Sequence, residues 1–299
     1  MLLKPFLEAG KAMIIINLRG GLGNQLFQYA LGRKLAIVND VTLKIDIGRL
    51  EVSKNSVSQP RSFLLEEFNI KAELASQEEI FSLKYQFTIT RLADWFKFNI
   101  LRQRNLVFNQ EIIRVRPDVY LDGFWQSPRY FSDIRQYLLS ELIPKNIEIM
   151  RAHSLYRLLE KTNSVSIHIR RGDYISNEKV KRRFGPCSLS YYINSIQKIM
   201  ELINNPIFLI FSDDVSWVKE NLPRLGQYHY VNDFMKDDIE QFWLMSCCKH
   251  NIISNSTYSW WAAWLNVNKN KVVISPTPWF NHISYDSALV LPEWIKLSK

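Results

Sequence analysis

Cysteine is scarce in this chain: Cys187, Cys247 and Cys248 are the only three in 299 residues. They form no CxxC pair and have no histidines near them at metal-ligand spacing, which argues against a disulfide framework and a structural zinc site. Thiols used as small apolar groups suit a reducing compartment. Long hydrophobic runs are also missing. "MIIINL" and "IFLIF" have the length of strands, far short of the ~20 residues that cross a bilayer. The opening "MLLKPFLEAGKA" is broken by Pro5 and Glu8, so it lacks the apolar core of a signal peptide, and a cytoplasmic location is expected. No tract is of low complexity. No DxD pair of aspartates occurs.

Negative charge is in deficit as well. Lys and Arg number 38 against 29 Asp and Glu, a formal charge of +9, with a pI near 9.3. Such a balance suits nucleic acid, an anionic membrane surface or a phosphorylated substrate. The cations are mostly scattered, and the densest run, "KVKRRF", reads as a solvated loop. No basic-aromatic RNA signature or helix-turn-helix pattern is present, so no nucleic-acid partner is expected. Peripheral contact with the inner face of a membrane stays open.

What is present is the make-up of a folded globular protein, 47% hydrophobic and 13% aromatic. "MIIINL" from Met13 reads as a buried strand, followed by "RGGLGNQ" and a helical stripe of Leu26, Phe27, Ala30, Leu31 and Leu35. "VTLKIDI" and "VYLDGFWQ" read as further strands, and "FLLEEF", "RLADWFKFNIL" and "YFSDIRQYLLSEL" as helices. The stretch around Pro144 marks a domain boundary, giving units 13–145 and 146–299. Beyond it, strands "SVSIHI", "IFLIF", "YHYV", "NIIS" and "KVVIS" alternate with helical segments. That rhythm implies right-handed βαβ crossovers and a parallel sheet. The expected fold class is α/β: two such halves with a cleft between them, and ligands beyond the carboxyl ends of the strands.

Four motifs stand at strand ends. "RGGLGNQ" (19–25) fails the GxGxxG pattern, because Leu26 occupies the third glycine position, and it lacks a P-loop ending. It is either a tight βα turn or a loop facing a phosphate or sugar, with Gly23 allowing close approach and Arg19 and Asn24 as donors. In "SVSIHIRRGDY", period two puts Ser166, His168 and Arg170 on one side of the strand. Arg170 and Arg171 match phosphate oxygens as bidentate forks, with Asp173 to orient one of them. The alternative is a structural Arg–Asp pair with His168 in the core. In "IFLIFSDD", Asp214 suits a helix cap, and Asp213 is free to accept from guanine's N1–H and exocyclic amine. In "SNSTYSWWAAWL", Asn255, Ser256 and Thr257 form an anion cradle at a helix start. Its "NST" sequon reads as accidental. Trp260 and Trp264, four residues apart, are read as core.

Taken in order, "GGLGNQLFQYA", "GFWQSPRYF", "HIRRGDY", "CSLSYY", "FSDD", "NSTYSWWAAWL" and "PTPWF" resemble the α-1,2-fucosyltransferases of glycosyltransferase family 11, over nearly the whole chain from Met13. The resemblance implies a GT-B-like fold of two Rossmann-like domains facing a cleft. It implies inverting transfer of L-fucose from GDP-β-L-fucose to the 2-hydroxyl of a galactoside, an oligosaccharide or a lipid-linked glycan, as in bacterial surface-glycan synthesis. No cofactor or obligatory metal is implied, in agreement with the absent DxD. Residues 13–145 become the acceptor side and 146–299 the GDP-fucose side.

On this reading Arg170 meets the β-phosphate, while Arg171 supports the nucleotide or braces the loop. Asp213 reads guanine, Asn255, Ser256 and Thr257 line the donor site, and Gly23 and Asn24 close over it from the other domain. Asp173 leads Glu178 and His168 as the base. "GFWQ" supplies an acceptor subsite, with Trp125 either stacked on galactose or buried in the core. The competing readings are a GDP-fucose transferase of another linkage and a non-catalytic nucleotide-sugar sensor.

Overall fold

The computed structural model describes residues 12–54, 61–84, 99–103, 105–281 and 289–299. Two α/β units divide these residues. The first holds the chain up to Glu66 and then Ile70–Glu141; the second holds Glu67–Asn69 and Leu142–Lys299. The short Glu67–Asn69 segment joins the second unit through a Phe68–Pro144 bridge and an N–H···O bond of 2.8 Å from Lys145 to Glu67.

In the first unit, β1 (Met13–Asn17), β2 (Thr42–Asp46), β3 (Glu73–Leu74), β4 (Ile100–Arg102) and β5 (Val119–Asp122) form one parallel sheet in the order β3-β2-β1-β5-β4. Ile14, Ile15 and Ile16 are all fully buried, as a central strand of a parallel sheet requires. The helix Leu22–Asn39 follows β1 and ends where Asp40 adopts a left-handed conformation, φ 52°. Because β1 feeds β2 on one side while β5 returns on the other, the topological switch lies between β1 and β5.

Three expectations are corrected in this unit. The strand read over "VYLDGFWQ" ends at Asp122, and Trp125 stands at φ 54° in the loop beyond. "FLLEEF" supplies only a 3-10 turn, Leu64–Glu67. Most of the helix read over "RLADWFKFNIL" lies outside the described residues, and its end is the strand β4 instead.

The second unit carries β6 (Asn163–Ile169), β7 (Pro206–Ser212), β8 (Gln227–Tyr230), β9 (His250–Ile252), β10 (Val273–Thr277) and β11 (Ile295–Ser298). They form a parallel sheet ordered β11-β10-β9-β6-β7-β8, so its switch lies between β6 and β9. Period two sorts β6 cleanly. Val165, Ile167 and Ile169 join an apolar core with Tyr191, Ile196 and Phe208. Ser164, Ser166 and His168 face the other way, each bonded to the neighbouring β9 region: Lys249 N–H to Ser164 Oγ at 3.1 Å, Asn251 Nδ2 to Ser166 Oγ at 2.8 Å, and Ser254 Oγ with His168 Nδ1 at 2.9 Å. Buried polar groups survive there because each has a partner. Trp260 and Trp264 are core, their rings stacked 6.2 Å apart.

Candidate active site

The carboxyl ends of β6, β7 and β9 bring most of the expected residues together. Arg170 leaves β6 with its guanidinium divided between two carboxylates: Nη2 to Asp173 Oδ1 at 2.7 Å and Nη1 to Asp213 Oδ2 at 2.8 Å. The other oxygen of Asp213 accepts the backbone N–H of Arg171 at 2.8 Å. Gly172 makes this approach feasible, since a Cβ there would lie 2.5 Å from Asp213 Oδ2. Arg171 turns the opposite way. Its Nε meets Asp214 Oδ2 at 3.0 Å and its guanidinium lies 3.6 Å from the centre of the Trp217 ring, so charge and cation–π contact hold it together. Asp214 also caps the helix Val215–Asn221 through Trp217 N–H.

The electrostatics follow. Burial alone would lower the Arg170 pKa, but Asp213 and then Asp173 more than offset it and the net shift is upward. The cation is permanent. A quarter of its side chain stays exposed, enough to meet a ligand. His168 behaves oppositely: burial, aided by the Arg170 charge, pushes its pKa down to about 3. It is neutral and a poor proton acceptor, which weakens its case as a base.

The β9 side completes the arrangement. Ser256 is the N-cap of the helix Thr257–Leu265, yet its side chain makes no capping bond and the first turn holds no acid. The unfilled end favours an anion. Asn255 does different work from that expected. Its Nδ2 donates to the carbonyls of Phe184, Gly185 and Trp279 at 2.9–3.1 Å, and the residue is 1% exposed. It fixes the loop from within and presents nothing to a ligand. Tyr174 reaches the Asn255 carbonyl at 3.0 Å, tying the β6 and β9 loops to each other.

Asp213 departs from expectation too. Both oxygens serve the arginine pair, so here the carboxylate positions Arg170 and Arg171, with a quarter of its side chain left exposed. Asp214 is the helix cap that the sequence suggests; its ion pair with Arg171 and the Trp217 ring under that arginine are the additions that the sequence did not point to. The second aspartate of "SDD" thus does double duty as cap and ion-pair partner. Among the described residues no group of three His, Cys, Asp or Glu is placed to hold a metal ion.

Gly23 and Asn24 lie in the first unit. Gly20, at φ 81°, has the Asn24 amide packed where a Cβ would stand, so only glycine fits. Asn24 Oδ1 accepts from Gln126 Nε2 at 2.7 Å, and Gln28 joins Arg19 N–H to the Gly123 carbonyl. The β1 and β5 loops are thereby stitched across the switch point. The helix Leu22–Asn39 starts with no side-chain cap and no acid in its first turn. Trp125 is 2% exposed and lies edge-on to Tyr130, so of its two readings the core one holds.

The chain as a whole has counterparts among known proteins. The family described as Glycosyl transferase family 11 matches residues 4–298. The chain belongs to this family. An alpha-1,2-colitosyltransferase of Escherichia coli is 33% identical to this transferase over 96% of its chain and 100% of the relative. A mouse (Mus musculus) galactoside 2-alpha-L-fucosyltransferase, Sec1, is 23% identical over 96% of this chain and 74% of the relative. The crystal structure of NodZ alpha-1,6-fucosyltransferase soaked with GDP-fucose matches with a TM-score of 0.51 at 16% identity, covering 85% of this chain and 92% of that one. That likeness is one of fold: α/β, GT-B-like, with two Rossmann-like units.

Proposed function

We propose that this family 11 glycosyltransferase moves L-fucose from GDP-β-L-fucose to the 2-hydroxyl of a terminal β-galactoside, with inversion to the α-linkage. The observation that carries the reading is the pairing of Arg170, held between two carboxylates, with the uncapped helix end at Ser256–Thr257 on the switch point of the second sheet. In the reaction the acceptor oxygen attacks C1 of the sugar. The C1–O bond breaks and its electron pair goes to the β-phosphate of GDP. Charge grows on that phosphate, and fixed donors aimed at it lower the barrier. Arg170 takes this role, with Ser256, Thr257 and the helix N–H groups beside it and Arg171 bracing the loop. The acceptor proton passes to Asp173 or, if the leaving phosphate is nearer, to that. The first unit takes the acceptor.

The role of Asp213 and Asp214 as arginine partners supports a reaction without a divalent metal. A second donor deserves equal testing, because the relative most similar over full length among those described transfers colitose by its name. Colitose is the 3-deoxy counterpart of fucose, so a pocket for one differs from a pocket for the other by a single hydroxyl. GDP release should be measured with GDP-L-fucose and GDP-L-colitose against lactose, with the product linkage read by NMR. Turnover of GDP-fucose giving an α-1,2 product is expected. Preference for GDP-colitose would transfer the reading to that sugar, another linkage would end the acceptor assignment, and turnover of neither would leave a binding protein.

A further inference from the structure

At the carboxyl edge of the first sheet a single carboxylate gathers cations from three neighbouring strands. Asp122 ends β5. Arg49, after β2, and Arg102, the last residue of β4, both reach its Oδ2, at 3.0 and 3.7 Å. Arg19, after β1, lies 3.6 Å from Oδ1, and Asn17 Nδ2 donates to the same oxygen at 3.3 Å. The next carboxylate, Asp46, is matched separately by Lys84 at 3.5 Å and Tyr120 Oη at 2.6 Å. Among the described residues four cations thus face two carboxylates, and the surplus sits around Asp122.

Arg19 registers that surplus. Burial lowers its pKa, Asp122 works against this, and the Arg49 charge pushes it down again. The Asp122 carboxylate is 9% exposed, whereas Arg49 and Arg102 are 51% and 71% exposed. Each guanidinium therefore lies against the same buried oxygen while half or more of its side chain stays exposed to solvent. Nearby, Asn17 Oδ1, Arg19 Nε and Gln103 Nε2 are buried without a partner among the described residues. Buried polar atoms without partners are uncommon and mark places where a ligand or water completes the structure.

We infer that Arg49 and Arg102, spread over Asp122 at the β1/β5 switch point, form a subsite for an oxyanion, a phosphate or carboxylate, carried on the sugar acceptor. Two partly exposed guanidiniums drawn to one buried carboxylate match an oxyanion by charge-assisted forks. The crevice beyond the strand ends of an open parallel sheet is where ligands enter. The inference rests on the first unit being the acceptor side, and it adds that the acceptor is anionic.

The test is equilibrium calorimetry without donor, which does not depend on turnover. Lactobionate and lactitol share a galactosyl group and differ by a carboxylate; lactose 1-phosphate and lactose differ by a phosphate. At least one anionic probe should bind about tenfold tighter than its neutral partner, the size expected of partly exposed charge-assisted contacts. The gain should shrink in high salt and vanish in both R49Q and R102Q, with neutral-probe affinity and melting temperature kept. Which probe gains identifies carboxylate or phosphate. Equal binding of each pair, a gain that survives both substitutions, or no detectable binding of either anionic probe at millimolar concentration overturns the inference. A protein that transfers sugar to lactose yet shows no anion preference loses this inference alone. One that keeps the preference but transfers neither sugar loses only the proposed reaction.

Discussion

Arg170 and Asp213 stand on adjacent strand ends 2.8 Å apart, and the same aspartate takes the backbone N–H of Arg171 through its other oxygen. The carboxylate thereby sets the direction of one arginine and the path of the next. A cation placed by such a frame needs no reorganisation when charge develops opposite it, which is the condition for effective electrostatic catalysis.

Arg170→Ala is expected to lower turnover by roughly 10²–10³. Arg170→Lys, with charge but no planar fork, should recover only part of it. The two aspartates left behind are partly exposed, so the stability cost should be about 1 kcal/mol. Turnover, GDP affinity and melting temperature measured together decide the matter. A folded Arg170→Ala enzyme with near-parental turnover would move the phosphate role to Arg171.

Asp213→Ala separates two roles. If the carboxylate positions arginines, affinity for GDP and ADP should fall together and Asp213→Asn should restore part of it by keeping an acceptor for Arg171 N–H. Narrowing of the GDP preference, with ADP affinity untouched, would return Asp213 to the guanine-reading role.

Gly172→Ala brings a methyl to 2.5 Å from Asp213 Oδ2. Relief requires the carboxylate to move, with Arg170 following. The expected cost is about 1–3 kcal/mol of stability together with a fall in kcat. The double substitution with Asp213→Ala should be less damaging than the sum of its parts, because the clash disappears. Strict additivity in melting and rate measurements would refute the contact.

The parts of this structure that local pattern dictates were readable in advance. Alternation in "SVSIHI" yields β6 with its polar face, and the apolar stripe after "RGGLGNQ" yields the helix Leu22–Asn39. β11 escaped notice because Ile295–Ser298 is a four-residue edge strand, and an edge strand needs little apolar sequence. "GFWQ" looked like strand because aromatic residues favour strands, yet Trp125 folds at positive φ. The Arg170–Asp173 pair is local and legible in "RRGD", but the other pairs of the two sites are long-range. Arg171 and Asp214 are 43 residues apart, and Arg49 and Asp122 are 73 apart. No local window contains both partners.

Metal removal gives a further test. Asp213 and Asp214 each face an arginine, leaving neither carboxylate free for a shared cation. Turnover by metal-stripped enzyme in EDTA is expected to match that of untreated enzyme. Loss restored by manganese or magnesium would mean that the aspartates leave their arginines to bind metal when donor is present.

His168 supplies a prediction about pH and stability. Its pKa falls from the ordinary 6.5 to about 3 because burial and Arg170 disfavour the cation. The unfolded chain therefore binds a proton there that the folded chain refuses. Between pH 6.5 and 3 the unfolded state holds more protons, so this group's contribution to stability is lost as pH falls. Each pH unit in that window should cost up to about 1.4 kcal/mol. His250, whose pKa is also lowered by burial and by Lys249, acts in the same direction and remains in the variant. His168→Gln removes the first titration while keeping an amide within reach of Ser254. Denaturant unfolding at pH 7 and pH 4.5 should show the parent losing more stability than the variant. Equal losses would mean that His168 takes up its proton in the folded state, and would reopen its candidacy as the base.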